Sequence, residues 1–160
     1  MNAKYHEYKL AEICTRLSSG KPISADLVKS SGKYPVIGGN GIRGFTDTYN
    51  FEGECTIIGR QGAACGNVRY YSGKAYLTEH AIALQAGSEH NTRYLSYLLS
   101  IMKLGRLSGQ SAQPGLSVKV LASQLIAIPA KITQDQVAST LAALDNKISL
   151  NNRINDYLAA

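Results

Sequence analysis

The chain has 160 residues, 44% hydrophobic and 18% charged, which is enough apolar content for one folded core and too much for a disordered polypeptide. No run approaches the ~20 continuous apolar residues of a membrane-spanning helix, and the N-terminal MNAKYHEYKL lacks the features of a signal peptide. The net charge of +6 is unevenly placed: residues 1–130 hold 14 Lys/Arg against 8 Asp/Glu, whereas residues 131–160 hold 3 of each.

A basic body of this kind favours a polyanionic partner, with nucleic acid the first candidate, although many cytosolic proteins are mildly basic without one. The three cysteines, Cys14, Cys55 and Cys65, are odd in number and have no C-x-x-C spacing. A reduced, cytoplasmic protein is expected.

In chain order, a short helix is expected around Leu10–Cys14. Strands follow at Tyr34–Ile37, Cys55–Gly59, Asn67–Tyr71 and Ala81–Gln85, each β-rich with glycine nearby. Tyr94, Leu95, Leu98, Leu99 and Met102 recur at helical spacing and predict a helix over Thr92–Lys103. Ser117–Ser123 reads as a short helix, and Leu125–Ile128 as a last strand closed by Pro129. The fold class is α+β: a mixed, loop-rich domain over residues 1–130, followed by one long C-terminal coiled-coil helix over 131–160.

That last helix carries the clearest local signals. Thr133 with Gln136 three residues on forms a capping box, and Asp135 in the first turn suits the positive end of the helix dipole. Val137, Leu141, Leu144 and Ile148 follow at alternating four- and three-residue steps. Asn151 takes the next seam position, and Ile154 and Leu158 resume the stripe. A helix of about 26 residues is near 40 Å long, too long to lie along a body of this size throughout. Part of the stripe is therefore expected to meet a helix of another chain; the same spacing also fits an ordinary amphipathic helix on its own domain.

Several motifs fail on context. Gly39-Asn-Gly41-Ile-Arg-Gly44 matches the dinucleotide-binding G-x-G-x-x-G, but Phe45–Tyr49 reads as strand or turn where that motif needs a helix. Gly20-Lys21 is followed by Pro22, not the Ser or Thr of a phosphate loop. His6, His80 and His90 have no metal-ligand spacing, and Glu79-His80 has no matching nucleophile. No catalytic residue, metal site or resident cofactor is expected in the chain.

The run Ile57-Ile58-Gly59-Arg60-Gln61-Gly62 to Gly66-Asn67 leads an apolar strand into a glycine-rich turn bearing Arg, Gln and Asn. These side chains read base edges, and the glycines allow close backbone approach. A second polar turn, Leu107 to Pro114, offers Gln110, Ser111 and Gln113. On residue type alone, plain surface turns are the favoured reading of both.

The order of these motifs carries a resemblance. Gly32-Lys-Tyr34-Pro35-Val36-Ile37-Gly38, then Gly41-x-x-Gly44, Asp47 and Tyr49, then Ile57-Ile58-Gly59-Arg60-x-Gly62 open the match. Tyr76–Ala81, Gln113–Ser117, Gln136 and Leu144–Ile148 continue it, over roughly residues 5–158. Together they resemble the specificity subunits of type I restriction–modification systems. The resemblance implies a target-recognition domain that contacts bases in the major groove of double-stranded DNA. It also implies a conserved spacer helix that docks the methyltransferase (modification) subunits, with the motor–nuclease subunit as a further partner. S-adenosylmethionine, ATP and magnesium would then belong to those partner subunits. Specificity subunits of this family usually carry two domains and two helices in tandem. Here there is one of each, and Ile128-Pro129-Ala lacks the doubled proline often found before the helix.

On this reading Arg60, Gln61 and Arg43, then Gln110 and Ser111, are the expected base readers. Lys21, Lys33 and Lys74 are the expected phosphate contacts. Val137, Leu141, Leu144, Ile148, Asn151, Ile154 and Leu158 are expected to pair antiparallel with a second copy or another half-subunit. An adaptor or non-functional fragment that binds the modification subunit without reading DNA is the alternative.

Overall fold

Residues 55–59 of β5 (Phe51–Gly59) and 81–84 of β7 (Ala81–Ala86) are buried without a break because both faces of their sheet are covered there. Successive side chains point to opposite faces. Ile58, Ile82 and Leu84 enter one core with Leu10, Leu95, Leu99 and Leu121, while Cys55, Ile57, Ala81 and Ala83 enter a second with Ile37, Phe51 and Leu77. The computed structural model describes residues 4–108 and 115–159.

The six-stranded sheet has the order β2-β7-β5-β6-β3-β4, with β2 at Cys14–Ser19, β3 at Tyr34–Gly38, β4 at Gly41–Thr46 and β6 at Val68–Leu77. All its pairings are antiparallel except a short parallel contact that sets Val36 beside Tyr76 and Ile37 beside Leu77. Gly53 and Gly73 face each other across β5 and β6, both with positive φ, which lets this long ribbon bend. A separate ribbon pairs β1 (Tyr5–Lys9) with β8 (Leu125–Pro129), tying the two ends of the body together.

Helix α1 spans Thr92–Ile101, capped by the Asn91 side chain, which accepts from the Tyr94 N–H at 2.8 Å. It stops two residues before the expected Lys103, because Lys103 itself adopts a left-handed conformation (φ 51°) that no continuing helix allows. The expected helix at Leu10–Cys14 is a single 3-10 turn, Leu10–Ile13. Helix α2 is Val118–Ala122, with Ser117 as its cap.

Helix α3, Lys131–Leu158, corrects the expected start. Ala130 occupies the cap position without a side-chain bond, and Thr133 lies inside the first turn with its N–H on the Ala130 carbonyl at 2.9 Å. Thr133 and Gln136 therefore form no capping box, and Asp135 lies beyond the first turn. Tertiary contacts set the start instead. The β1–β8 pairing holds the chain as far as Pro129, and the fully buried Gln134 donates to the Pro129 carbonyl at 2.9 Å. Lys131 and Asp135 pair at 2.7 Å one turn apart. Gln134 and Ala138 are buried against the body, whereas every described residue from 143 onward is exposed.

Candidate nucleic-acid interface

Three connections converge beside the strand ends. They are the two-residue loop Gly39-Asn40 between β3 and β4, the turn from Arg60 to Asn67 between β5 and β6, and the Thr78–His80 link between β6 and β7. The turn is fastened by backbone bonds: Arg60 N–H to the His80 carbonyl at 2.9 Å, Gly66 N–H to Gly59 at 2.8 Å, and Leu116 N–H to Arg60 at 2.8 Å. A side chain at Gly59 would place its Cβ 2.0 Å from the Ala64 carbonyl oxygen, and one at Gly39 would lie 2.9 Å from that of His80. Only glycine allows the three segments to close up this far.

Their meeting forms an open cleft of about 430 Å³, lined by Gly38, Gly39, Asn40, Arg43, Gln61 and His80 among others. Arg43 reaches it from β4, its Cδ 2.9 Å from where a Gly38 Cβ would stand. Arg43, Gln61 and Asn40 are exposed and His80 is half-buried, its Nε2 3.1 Å from a Glu79 carboxylate oxygen. The Thr78 hydroxyl and one Glu79 carboxylate oxygen nearby are buried without a hydrogen-bond partner among the described residues. A guanidinium and two carboxamides thus face one concave surface, the donor and acceptor set that distinguishes guanine and adenine edges.

The structure brings Arg43 and Gln61 together and does not place Arg60 with them. The half-buried Arg60 side chain turns back to the Glu79 carbonyl at 3.4 Å. Asn40 and His80 are the lining residues missed in the sequence. Asn40 sits in a rejected glycine motif, and nothing local marks the approach of two loops 40 residues apart. Gln110 and Ser111 lie outside the described residues.

The expected phosphate contacts divide. Lys33 and Lys74 flank an edge-to-face pair of Tyr34 and Tyr49, whose ring centres are 4.9 Å apart; the ammonium groups stand 5.4 Å from Tyr34 and 4.8 Å from Tyr49 respectively. Glu52, 3.4 Å from Lys74, raises the pKa of that lysine by hydrogen bonding and charge. Lys21 is exposed and leaves β2 beside the β6–β7 link, with its N–H on the Leu77 carbonyl at 3.0 Å.

On α3, Val137 and Leu141 line an apolar groove of about 310 Å³ with Tyr94, Tyr97, Leu98 and Ile101 of α1. The Tyr97 hydroxyl donates to Asp145 at 2.5 Å, the last side-chain bond holding α3 to the body among the described residues. Beyond it Ile148, Asn151, Ile154 and Leu158, like Leu144 just before it, are exposed. No helix of the described residues is long and apolar enough to cross a membrane. Among them, no group of three or more His, Cys, Asp and Glu residues could hold a metal ion. Burial pushes the Cys14 and Cys55 thiols up to about 12, so both stay protonated at neutral pH.

Known proteins share this fold. The family model described as the type I restriction modification DNA specificity domain matches residues 2–160. The type I restriction enzyme EcoprrI specificity subunit of Escherichia coli is 36% identical over 145 residues, which are 88% of this chain and 35% of that protein. The putative type I specificity subunit S.MpnORF507P of Mycoplasma pneumoniae is 31% identical over 144 residues, 86% of this chain and 39% of that protein. The chain therefore spans little more than a third of these curated relatives. A crystal structure of a type I restriction–modification S subunit from M. genitalium superposes with a TM-score of 0.83 at 19% identity, covering 92% of this chain and 41% of that one. The HsdS subunit from Thermoanaerobacter tengcongensis gives 0.67 at 14% identity, covering 96% and 40%. With a loop-rich sheet body, one long terminal helix and a family match along nearly its whole length, the chain belongs to the DNA specificity domain family of type I restriction–modification systems.

Proposed function

We propose that this chain is a sequence-reading part of a type I specificity subunit, recognising a short half-site in the major groove of double-stranded DNA. The observation that carries this reading is the cleft where Arg43, Gln61 and Asn40 converge. Arg43 suits a bidentate contact with guanine, and the carboxamides suit adenine. Arg60 backs the turn from behind, while Gln110 and Ser111 supply further base-reading groups. Lys21, Lys33 and Lys74 contact phosphates, which position the duplex without specifying its sequence.

In this reading residues 1–130 are the recognition domain and residues 131–160 the spacer helix, rooted in the body through Gln134 and Ala138. The exposed part of α3 docks methyltransferase subunits and pairs antiparallel with the helix of a second copy or another half-subunit. Twofold pairing of this kind would read an interrupted palindrome whose gap follows helix length. The chain performs no chemistry itself: S-adenosylmethionine, ATP and magnesium act on the partner subunits.

Selection of bound duplexes from a random pool, with the modification subunit present, tests this directly. A defined half-site is expected, and Arg43→Ala should relax one position of it at a cost of about 1–3 kcal/mol. Equal affinity for all sequences at moderate salt would sink the reading. Absence of duplex binding, with α3 still capturing the methyltransferase, would make the chain an adaptor.

A further inference from the structure

The turn at Gly62–Ala64 has two sides. Gln61, Ala63 and Ala64 line the cleft with Arg43. The residues that follow, Cys65 and Gly66, line a second and larger cleft of about 630 Å³ that opens towards the 3-10 turn Leu104–Leu107. Into it come Arg69 from β6, Lys103 from the end of α1, and Arg106. All three are exposed, no acidic residue lines the cleft, and none of the three forms a salt bridge among the described residues. Elsewhere on the body lysines do find carboxylates, as Lys29 does with Asp47 at 2.8 Å and Lys74 with Glu52. Three like charges gathered without a counter-charge repel one another unless an anion joins them.

The backbone around these cations is under constraint. Lys103 is the one non-glycine residue with positive φ among those described. Just past the end of a helix that conformation usually belongs to glycine or asparagine, and a lysine adopts it only against a conformational cost. Gly66, itself at φ +81°, lies so close to Leu104-Gly105 that a Cβ on it would fall 2.1 Å from the Gly105 nitrogen. The two walls of the cleft are thus pressed together at their base. Arg69 also ties this cleft to its neighbour: a Cβ on Gly41, in the hairpin that carries Asn40 and Arg43, would meet its Nη1 at 2.9 Å.

We infer that the Arg69–Lys103–Arg106 cleft is a seat for backbone phosphates of the duplex whose base edges lie against Arg43 and Gln61. This rests on the DNA-reading function proposed above. One turn would then separate a surface that specifies from a surface that positions, the division of labour found between base-edge and phosphate contacts.

The test uses the full chain with its modification subunit, and the variants Lys103→Gly and Arg106→Gln, singly and combined. Glycine at 103 removes the charge and suits the left-handed backbone, and a urea midpoint close to that of wild type separates loss of binding from misfolding in each variant. Affinity for selected and scrambled duplex, measured against salt, should fall in parallel for both. The slope of log K against log salt should shrink by about 0.9 per lost contact, close to two for the double variant. If wild type discriminates but the double variant keeps its slope, or loses no more than an equally charged Lys9→Gln/Lys119→Gln control, the seat is overturned and the reading function stands. If wild type binds duplex without discrimination and the double variant still loses slope, the seat stands and sequence reading falls. A wild type that binds no duplex at low salt overturns both.

Discussion

The backbone N–H of Asn91 donates to the amide oxygen of Gln134 at 3.0 Å, fastening the start of α1 to the first turns of α3. Asn91 does this while its side chain caps α1 and donates to Asp135 at 2.7 Å. Gln134 is fully buried, and its amide nitrogen donates to the Pro129 carbonyl. One buried carboxamide and its partners therefore fix the root of α3 on the body. Lys131 first, then Asn91, hold the Asp135 carboxylate below its ordinary pKa.

Gln134→Ala is expected to lower stability by about 1–3 kcal/mol, since it removes the partner of the part-buried Asn91 N–H and a hydrogen bond to the Pro129 carbonyl. Urea unfolding should show a lower midpoint at unchanged slope. A loss under about 0.5 kcal/mol would mean that water replaces both bonds and that the junction is not sealed.

His90 sits against the same junction, its Nδ1 3.4 Å from the Gln134 amide nitrogen and its ring edge-on to Tyr8. Burial lowers its pKa, with the charge of Glu89 opposing. In the unfolded chain the imidazole protonates near ~6.5. The fold binds that proton less readily, so its contribution is complete above that pH and is lost as pH falls through the lower folded value. Urea midpoints should decline across this window, and His90→Phe should flatten that part of the decline. An equal decline in the variant would assign it to carboxylates instead.

Gly59→Ala should distort the cleft more than the core. Its Cβ would meet the Ala64 carbonyl at 2.0 Å, so the 62–64 turn must shift, at a cost of about 1–3 kcal/mol. Discrimination between selected and scrambled duplex should collapse while the far-UV circular dichroism spectrum stays that of wild type. Retained discrimination would show that the turn reads nothing.

Leu144→Asp with Ile148→Asp targets the helix beyond the body, where both side chains are more than half exposed. Monomer stability should change by no more than about 0.5 kcal/mol per site. Self-association, followed by light scattering on a sizing column, should be lost. A wild type that stays a strict monomer at high concentration would remove the homodimer.

Much was legible in the sequence where the signal is local. Helical spacing marked α1 and the body of α3, and apolar runs marked β5 and β7, because the periods of helix and strand are written in neighbouring residues. The family resemblance was carried by motifs in one order along the chain. By contrast β1, Tyr-His-Glu-Tyr-Lys, has a weak strand pattern and becomes a strand through pairing with β8, more than a hundred residues away. The capping box at Thr133 and Gln136 failed for a related reason: burial of Gln134 and the pairing that holds Pro129 outweigh a cap worth about 1 kcal/mol.

What the sequence by itself determined is the class of fold, the family, and the supply of arginine, lysine and carboxamide side chains. Tertiary structure alone decided which of them meet. It set Arg43 beside Gln61 and Asn40 while turning Arg60 away, and it gathered Arg69, Lys103 and Arg106 across 37 positions of chain. Convergence of this kind depends on strand pairing and close glycine packing between segments distant in sequence, and no local pattern encodes it.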